Sequence, residues 1–101
     1  MGKNLLEQKS KVGSIKLFIY SQPFLNHQAG NGIDLILVGD VSLRVVDEII
    51  KTEEAIRGRE INYMVMDRSE FQLRRQKRDP FIVDFFLEYP LIIIGNPDRK
   101  S

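Results

Sequence analysis

The chain has 101 residues, 43% hydrophobic and 29% charged, which suits one folded domain and excludes a disordered chain. It has no cysteine, which excludes disulfide scaffolds and thiolate metal sites, and its 15 basic and 14 acidic residues lack the basic excess of a stand-alone nucleic-acid binder. No apolar run resembles a secretory signal or approaches the ~20 residues of a membrane span, so the cytoplasm is the expected compartment.

Residues 3–11 are polar apart from Leu5-Leu6 and read as a short helix or an arm, ended by Gly13-Ser14. IKLFIY, residues 15–20, alternates and is rich in β-branched and aromatic side chains, the pattern of a strand. Pro23, Gly30 and Gly32 mark the next stretch as a loop, with a helical turn expected after Pro23. IDLILVG, residues 33–39, is a nearly unbroken apolar run, as in a central strand covered on both faces. Ser42 is the expected N-cap of a helix over 43–57, with Leu43, Val46, Ile49, Ile50 and Ile56 on its apolar face and Gly58 as its left-handed stop. Asp47 with Lys51 and Glu53 with Arg57 form i,i+4 pairs on that helix, each expected to contribute roughly 0.2–0.5 kcal/mol.

EINYMVM, residues 60–66, is the third strand. Asp67 and Glu70, three apart, form a capping box for a helix reaching about Gln76. Asp79-Pro80 opens another helix, whose apolar face is Phe81, Ile82, Phe85 and Phe86 and which Pro90 stops. LIIIG, residues 91–95, is the last strand, and residues 97–101 are a polar tail. The two strands around the 43–57 helix should run parallel as a βαβ unit. The expected class is α/β: a single mixed sheet of about four strands packed with about three helices, in one domain over 1–101.

The succession IDLILVGD, helix, EINYMVM, the SEF and DPF helix starts and the closing LIIIG strand resembles the nucleotidyltransferase-like domains that share a core with DNA polymerase β. It is most similar to the versions attached to winged-helix transcription regulators, and the resemblance covers roughly residues 15–96. In active members, the resemblance implies a Gly-Ser pair after the first strand, an Asp-x-Asp before the second and a third carboxylate on the next. Clustered carboxylates hold two Mg²⁺ near the attacking and leaving oxygens, and the Gly-Ser turn offers backbone N–H groups to the triphosphate. Here the Gly-Ser position carries Ser21-Gln22, followed by Pro23, which has no N–H to donate. The first Asp is Gly32, the second is retained as Asp34, and the third carboxylate is Asn62.

One carboxylate of three does not hold two dications against their hydration. The resemblance therefore implies a non-catalytic binding or regulatory module linked to transcription regulation, with no catalytic residues, metal or cofactor. The alternative is a minimal nucleotidyltransferase that transfers a nucleotide from a nucleoside triphosphate with Mg²⁺, using Asp34. Ser21, Gln22 and Asp34 are the candidate nucleotide-binding residues. Asp34 also has a plain structural role open to it, accepting loop N–H bonds or pairing with an Arg. Asp40 lies about 20 Å away along the strand and cannot share a site with it.

His27, the lone histidine, sits in the loop and is expected to be a solvated surface group. Arg74, Arg75, Lys77 and Arg78, in RRQKR, are the candidate nucleic-acid contacts, set against a solvated helix end whose basic residues suit the dipole. Fewer than fifteen residues precede the first strand, too few for a winged helix, so any contact with nucleic acid is expected to need a partner or a lost segment. The aromatic set Phe81, Phe85, Phe86 and Tyr89 is expected in the core. An aromatic left outside it, or an open sheet edge, would favour a homo-oligomer or a partner protein.

Overall fold

The computed structural model describes residues 9–25 and 32–98. GSIKLFIY forms β1 (Gly13–Tyr20), preceded by the single turn α1 (Lys9–Val12) and followed by another, α2 (Gln22–Leu25). The chain continues through β2 (Leu35–Val41), α3 (Leu43–Arg57), β3 (Tyr63–Met66), α4 (Arg68–Gln76), α5 (Pro80–Leu87) and β4 (Leu91–Ile94). The three long helices are those expected, α1 lies at the end of the short helix or arm expected over 3–11, of which residues 3–8 fall outside the described residues, and α2 is a helical turn at Pro23, where one was expected. The strands form one sheet in the order β3-β2-β1-β4, with β1 antiparallel to β2 and β4, and β2 parallel to β3 across α3.

Strand alternation divides the sheet between two cores. Phe18, Tyr20, Leu35 and Leu37 face one side, where Val12, Phe24, Ile61 and the inner residues of α3 cover them. Leu17, Ile19, Ile36 and Val38 face the other, beneath Phe71 of α4 and Ile82 and Phe85 of α5. Burial on both faces explains why β2 reads as an unbroken apolar run. Each fully buried aliphatic side chain in it contributes about 1.5–3 kcal/mol.

Ile15 shares the first core with Phe18 although simple alternation would set them on opposite sides. A bulge between Ile15 and Leu17 makes Lys16 the extra residue and resets the alternation. Two glycines accommodate it. A side chain on Gly39 (φ +153°) would run into the Ser14 carbonyl, and one on Gly95 (φ +87°) into the Lys16 carbonyl.

Helix boundaries follow their caps. The Ser42 hydroxyl accepts the Val45 N–H at 3.4 Å, and Gly58, at φ +71°, closes α3 by donating its N–H to the Glu54 carbonyl at 2.8 Å. Asp67 accepts the Glu70 N–H at 2.8 Å, and Asp79 accepts the Phe81 N–H at 2.9 Å.

Four core assignments need correction. The buried face of α3 is Val45, Val46, Ile49, Ile50 and Glu53, whereas Leu43 and Ile56 are exposed. Both occupy terminal turns; periodicity gives the angular face of a helix but not how far the surface beneath it extends. Phe81, in the first turn of α5, is exposed for the same reason, and Tyr89 also points to solvent. Among the described residues no helix is long and apolar enough to cross a membrane.

Candidate functional site

Because β1 runs antiparallel to β2, and β2 parallel to β3, the end of β1 lies beside the starts of β2 and β3. Ser21, Asp34 and Asn62, distant in sequence, meet there. The Ser21 N–H donates to the Asp34 carbonyl at 2.8 Å, and the Asp34 N–H donates to the Asn62 carbonyl at 2.7 Å.

Asp34 is only 1% exposed. Its Oδ2 accepts the Asn62 N–H at 2.9 Å and Arg59 Nη1 at 3.3 Å, and its Oδ1 accepts Arg59 Nη2 at 3.4 Å. Arg59 Nη1 also donates to the Glu60 carbonyl at 2.9 Å. The carboxylate thus fastens the turn leaving α3 to the start of β2. Two residues earlier, Gly32 is exposed, with open space where a side chain would stand. The Asn62 side chain brings no charge.

The other two nucleotide-binding candidates also serve the fold. Ser21 is buried, and its hydroxyl accepts the Phe24 N–H at 3.2 Å, capping α2. Gln22 donates from Nε2 to the Tyr89 carbonyl at 2.8 Å, tying α2 to the segment that enters β4. Asp40 lies exposed near the far end of β2, paired in register with Ser14, while the cap of α3 is Ser42. His27 lies outside the described residues.

The basic run divides into two pairs. Arg74 bonds Asp79 at 3.0 Å and Glu70 at 3.4 Å. Arg75 bonds Asp98 at 3.2 Å and the Pro97 carbonyl at 3.3 Å, with its guanidinium 4.6 Å from the Phe86 ring centroid. These contacts fasten the start of the C-terminal tail to α4. Lys77 and Arg78 are exposed in the turn between α4 and α5. Among the described residues no group of three His, Asp or Glu side chains is placed to hold a metal ion.

A second polar cluster lies beneath α3, and sequence reasoning treated it as surface. Arg57 Nε donates to Glu53 Oε2 at 2.7 Å, with both side chains less than a tenth exposed. Arg57 Nη1 donates to the Phe24 carbonyl at 2.7 Å, and the guanidinium lies 3.8 Å from the Phe24 ring centroid. Burial pushes the Glu53 carboxyl up, but the hydrogen bond and charge of Arg57 help to outweigh it and leave the group below its ordinary value. The available signal was position: Glu53 is four residues beyond Ile49 and eight beyond Val45, on the buried stripe.

Tyr20 packs against Phe18 and Phe24 near this pair, and its hydroxyl has no hydrogen-bond partner among the described residues. Burial, then the charge of Glu53, pushes that hydroxyl well above the ordinary tyrosine range. A buried polar group without a partner carries its desolvation penalty uncompensated. Tyr20→Phe is therefore expected to stabilise the fold by about 1 kcal/mol in urea unfolding. A loss of stability would show that the hydroxyl is bonded in solution.

The architecture is an α/β domain with a four-stranded mixed sheet covered on both faces. In comparisons with known proteins, no family model, curated protein or solved structure matches the chain.

Proposed function

We propose that the chain is a non-catalytic nucleotidyltransferase-like domain, serving as a binding or regulatory module of the kind attached to winged-helix transcription regulators. The observation that carries this reading is the state of Asp34. It stands with Ser21 and Asn62 at the end of the sheet where the family resemblance would put a site, yet both of its oxygens already accept bonds from Arg59 and Asn62. Phosphoryl-type transfer with two metal ions needs several carboxylates converging on open space. Here the neighbouring stations are Gly32 and Asn62, and the Ser21 hydroxyl caps its own helical turn.

Calorimetric titration with ATP and Mg²⁺ tests this. The expected result is no metal-dependent binding, and micromolar Mg²⁺-dependent binding would overturn the proposal. The double variant Gly32→Asp, Asn62→Asp gives the comparison, since position 32 has open space and Asn62 is exposed. It is expected to acquire weak divalent-cation binding; if it gains none, positions 32, 34 and 62 do not converge as the resemblance requires. Transfer of label from a nucleoside triphosphate by the unaltered protein would favour the alternative, a minimal nucleotidyltransferase.

A further inference from the structure

We propose that β4 is a homodimerisation edge, where two copies of the chain pair their β4 strands antiparallel about a two-fold axis and extend the sheet to eight strands. The proposal does not depend on the nucleotidyltransferase-like reading.

Among the described residues β4 pairs with β1 on one side only and ends the sheet on the other. Its residues are Leu91, Ile92, Ile93 and Ile94, and Leu91 and Ile92 remain 45% and 43% exposed. Sheet edges facing water are commonly blunted with charged side chains, and this strand has none. The opposite edge, β3, is better covered: Tyr63, Met64 and Val65 are only half-exposed, and Met66 is buried.

The approach to β4 supplies an independent observation. Tyr89 has φ +54°, a left-handed backbone that a bulky residue adopts only under constraint, and it is 84% exposed. Gln22 bonds its carbonyl across the domain. Strain of this kind is concentrated at functional positions. Here it turns an aromatic ring outward beside an open apolar strand, and tyrosine is among the side chains that dominate interfaces.

The occupant is a second copy for two reasons. An antiparallel strand pair about a two-fold axis is self-complementary and closed, so it assembles no further. With the axis beside Ile93, which then faces its own copy, Ile92 of each chain faces Ile94 of the other, and Pro90, which has no N–H, falls opposite Asn96. No charged side chain is buried along this register. The second reason is area. Leu87, Tyr89, Leu91 and Ile92 together expose roughly 500 Å² per copy, so these side chains bring at most about 1,000 Å² to the pair, at the lower bound for a specific interface. Association is accordingly reversible and concentration-dependent.

Analytical ultracentrifugation of the full chain, from about 1 µM to about 1 mM, reads the equilibrium. The expected result is a monomer that becomes a dimer within that range. Ile92→Lys places a charge on the edge, and Tyr89→Gly removes the ring while relieving the left-handed strain. Each is expected to raise the dimer dissociation constant at least tenfold. Tyr89→Gly should do so without lowering the melting temperature, which separates a lost interface from a lost fold. An unaltered chain that stays monomeric throughout, or a dimer that either variant leaves intact, would overturn the proposal.

Discussion

Arg57→Ala is expected to destabilise the domain by about 3–5 kcal/mol, the usual effect of removing one partner from a buried ion pair. The loss has three parts. Glu53 keeps its charge in a site less than a tenth exposed, the Phe24 carbonyl loses its donor, and the Phe24 ring loses the cation above it. For a domain at the low end of ordinary stability, about 5 kcal/mol, this takes most of the available free energy. Arg57→Lys should recover little, because one ammonium cannot reproduce a planar fork that bonds two acceptors while stacking on a ring. Replacing both residues, Glu53→Leu with Arg57→Met, should restore part of the loss, since the buried carboxylate then leaves together with its guanidinium. Urea unfolding of the four proteins is the measurement, and a single-variant loss under about 1 kcal/mol would show the pair to be solvated like a surface one.

The same pair gives an acid dependence. The folded Glu53 carboxyl lies below its ordinary value of about 4.5. Its contribution is therefore complete above that value and disappears as pH falls through the lower, folded one. Stability below about pH 4.5 should decline more steeply in the unaltered protein than in Glu53→Gln.

Asp34→Ala is expected to reduce stability by about 2–4 kcal/mol, removing the acceptor of the Asn62 N–H and the carboxylate that two Arg59 nitrogens bond. Arg59 is partly exposed and regains some hydration, which places the effect below that of Arg57→Ala. Asp34→Asn should cost about half as much, because the amide oxygen can still accept the Asn62 N–H. The sign separates the two roles considered for this residue. A carboxylate kept for catalysis sits in an environment adapted to charge and substrate, and its removal leaves stability unchanged or improved. A structural carboxylate gives a lower melting temperature. An Asp34→Ala protein as stable as the original would contradict the structural role.

Much of the architecture was legible because short-range chemistry marks it. Ser42, Gly58, Asp67 and Asp79-Pro80 each punctuate a helix through groups within a few residues, and the observed caps fall on them. The parallel β2–β3 pair followed from the helix between two strands. What sequence could not supply was depth. Glu53 and Arg57 look like any solvent-facing i,i+4 pair, and their burial comes from α2 folding over them and bringing Phe24 into contact. Leu43, Ile56 and Phe81 have the right spacing for the core but lie in terminal turns.

The candidate site shows the same division. Asp34 could be singled out as the one acidic group entering a central strand, and a bond to an arginine was anticipated. That the arginine is Arg59, twenty-five residues away, is fixed only by the route the chain takes around α3. In the basic run, the anchoring of Arg75 by Asp98 depends on where β4 ends, which no local pattern in residues 74–78 encodes.

The strand order sets a timetable for the nascent chain. β1 is the first of the four strands to be made, yet its second neighbour is β4, the last of the four. Until residues 91–94 are synthesised, the backbone of Phe18–Tyr20 offers unsatisfied bonding groups to any passing polypeptide. Molecular chaperones that shield such stretches should therefore engage this protein late in translation, and premature termination before Leu91 should yield an aggregating product.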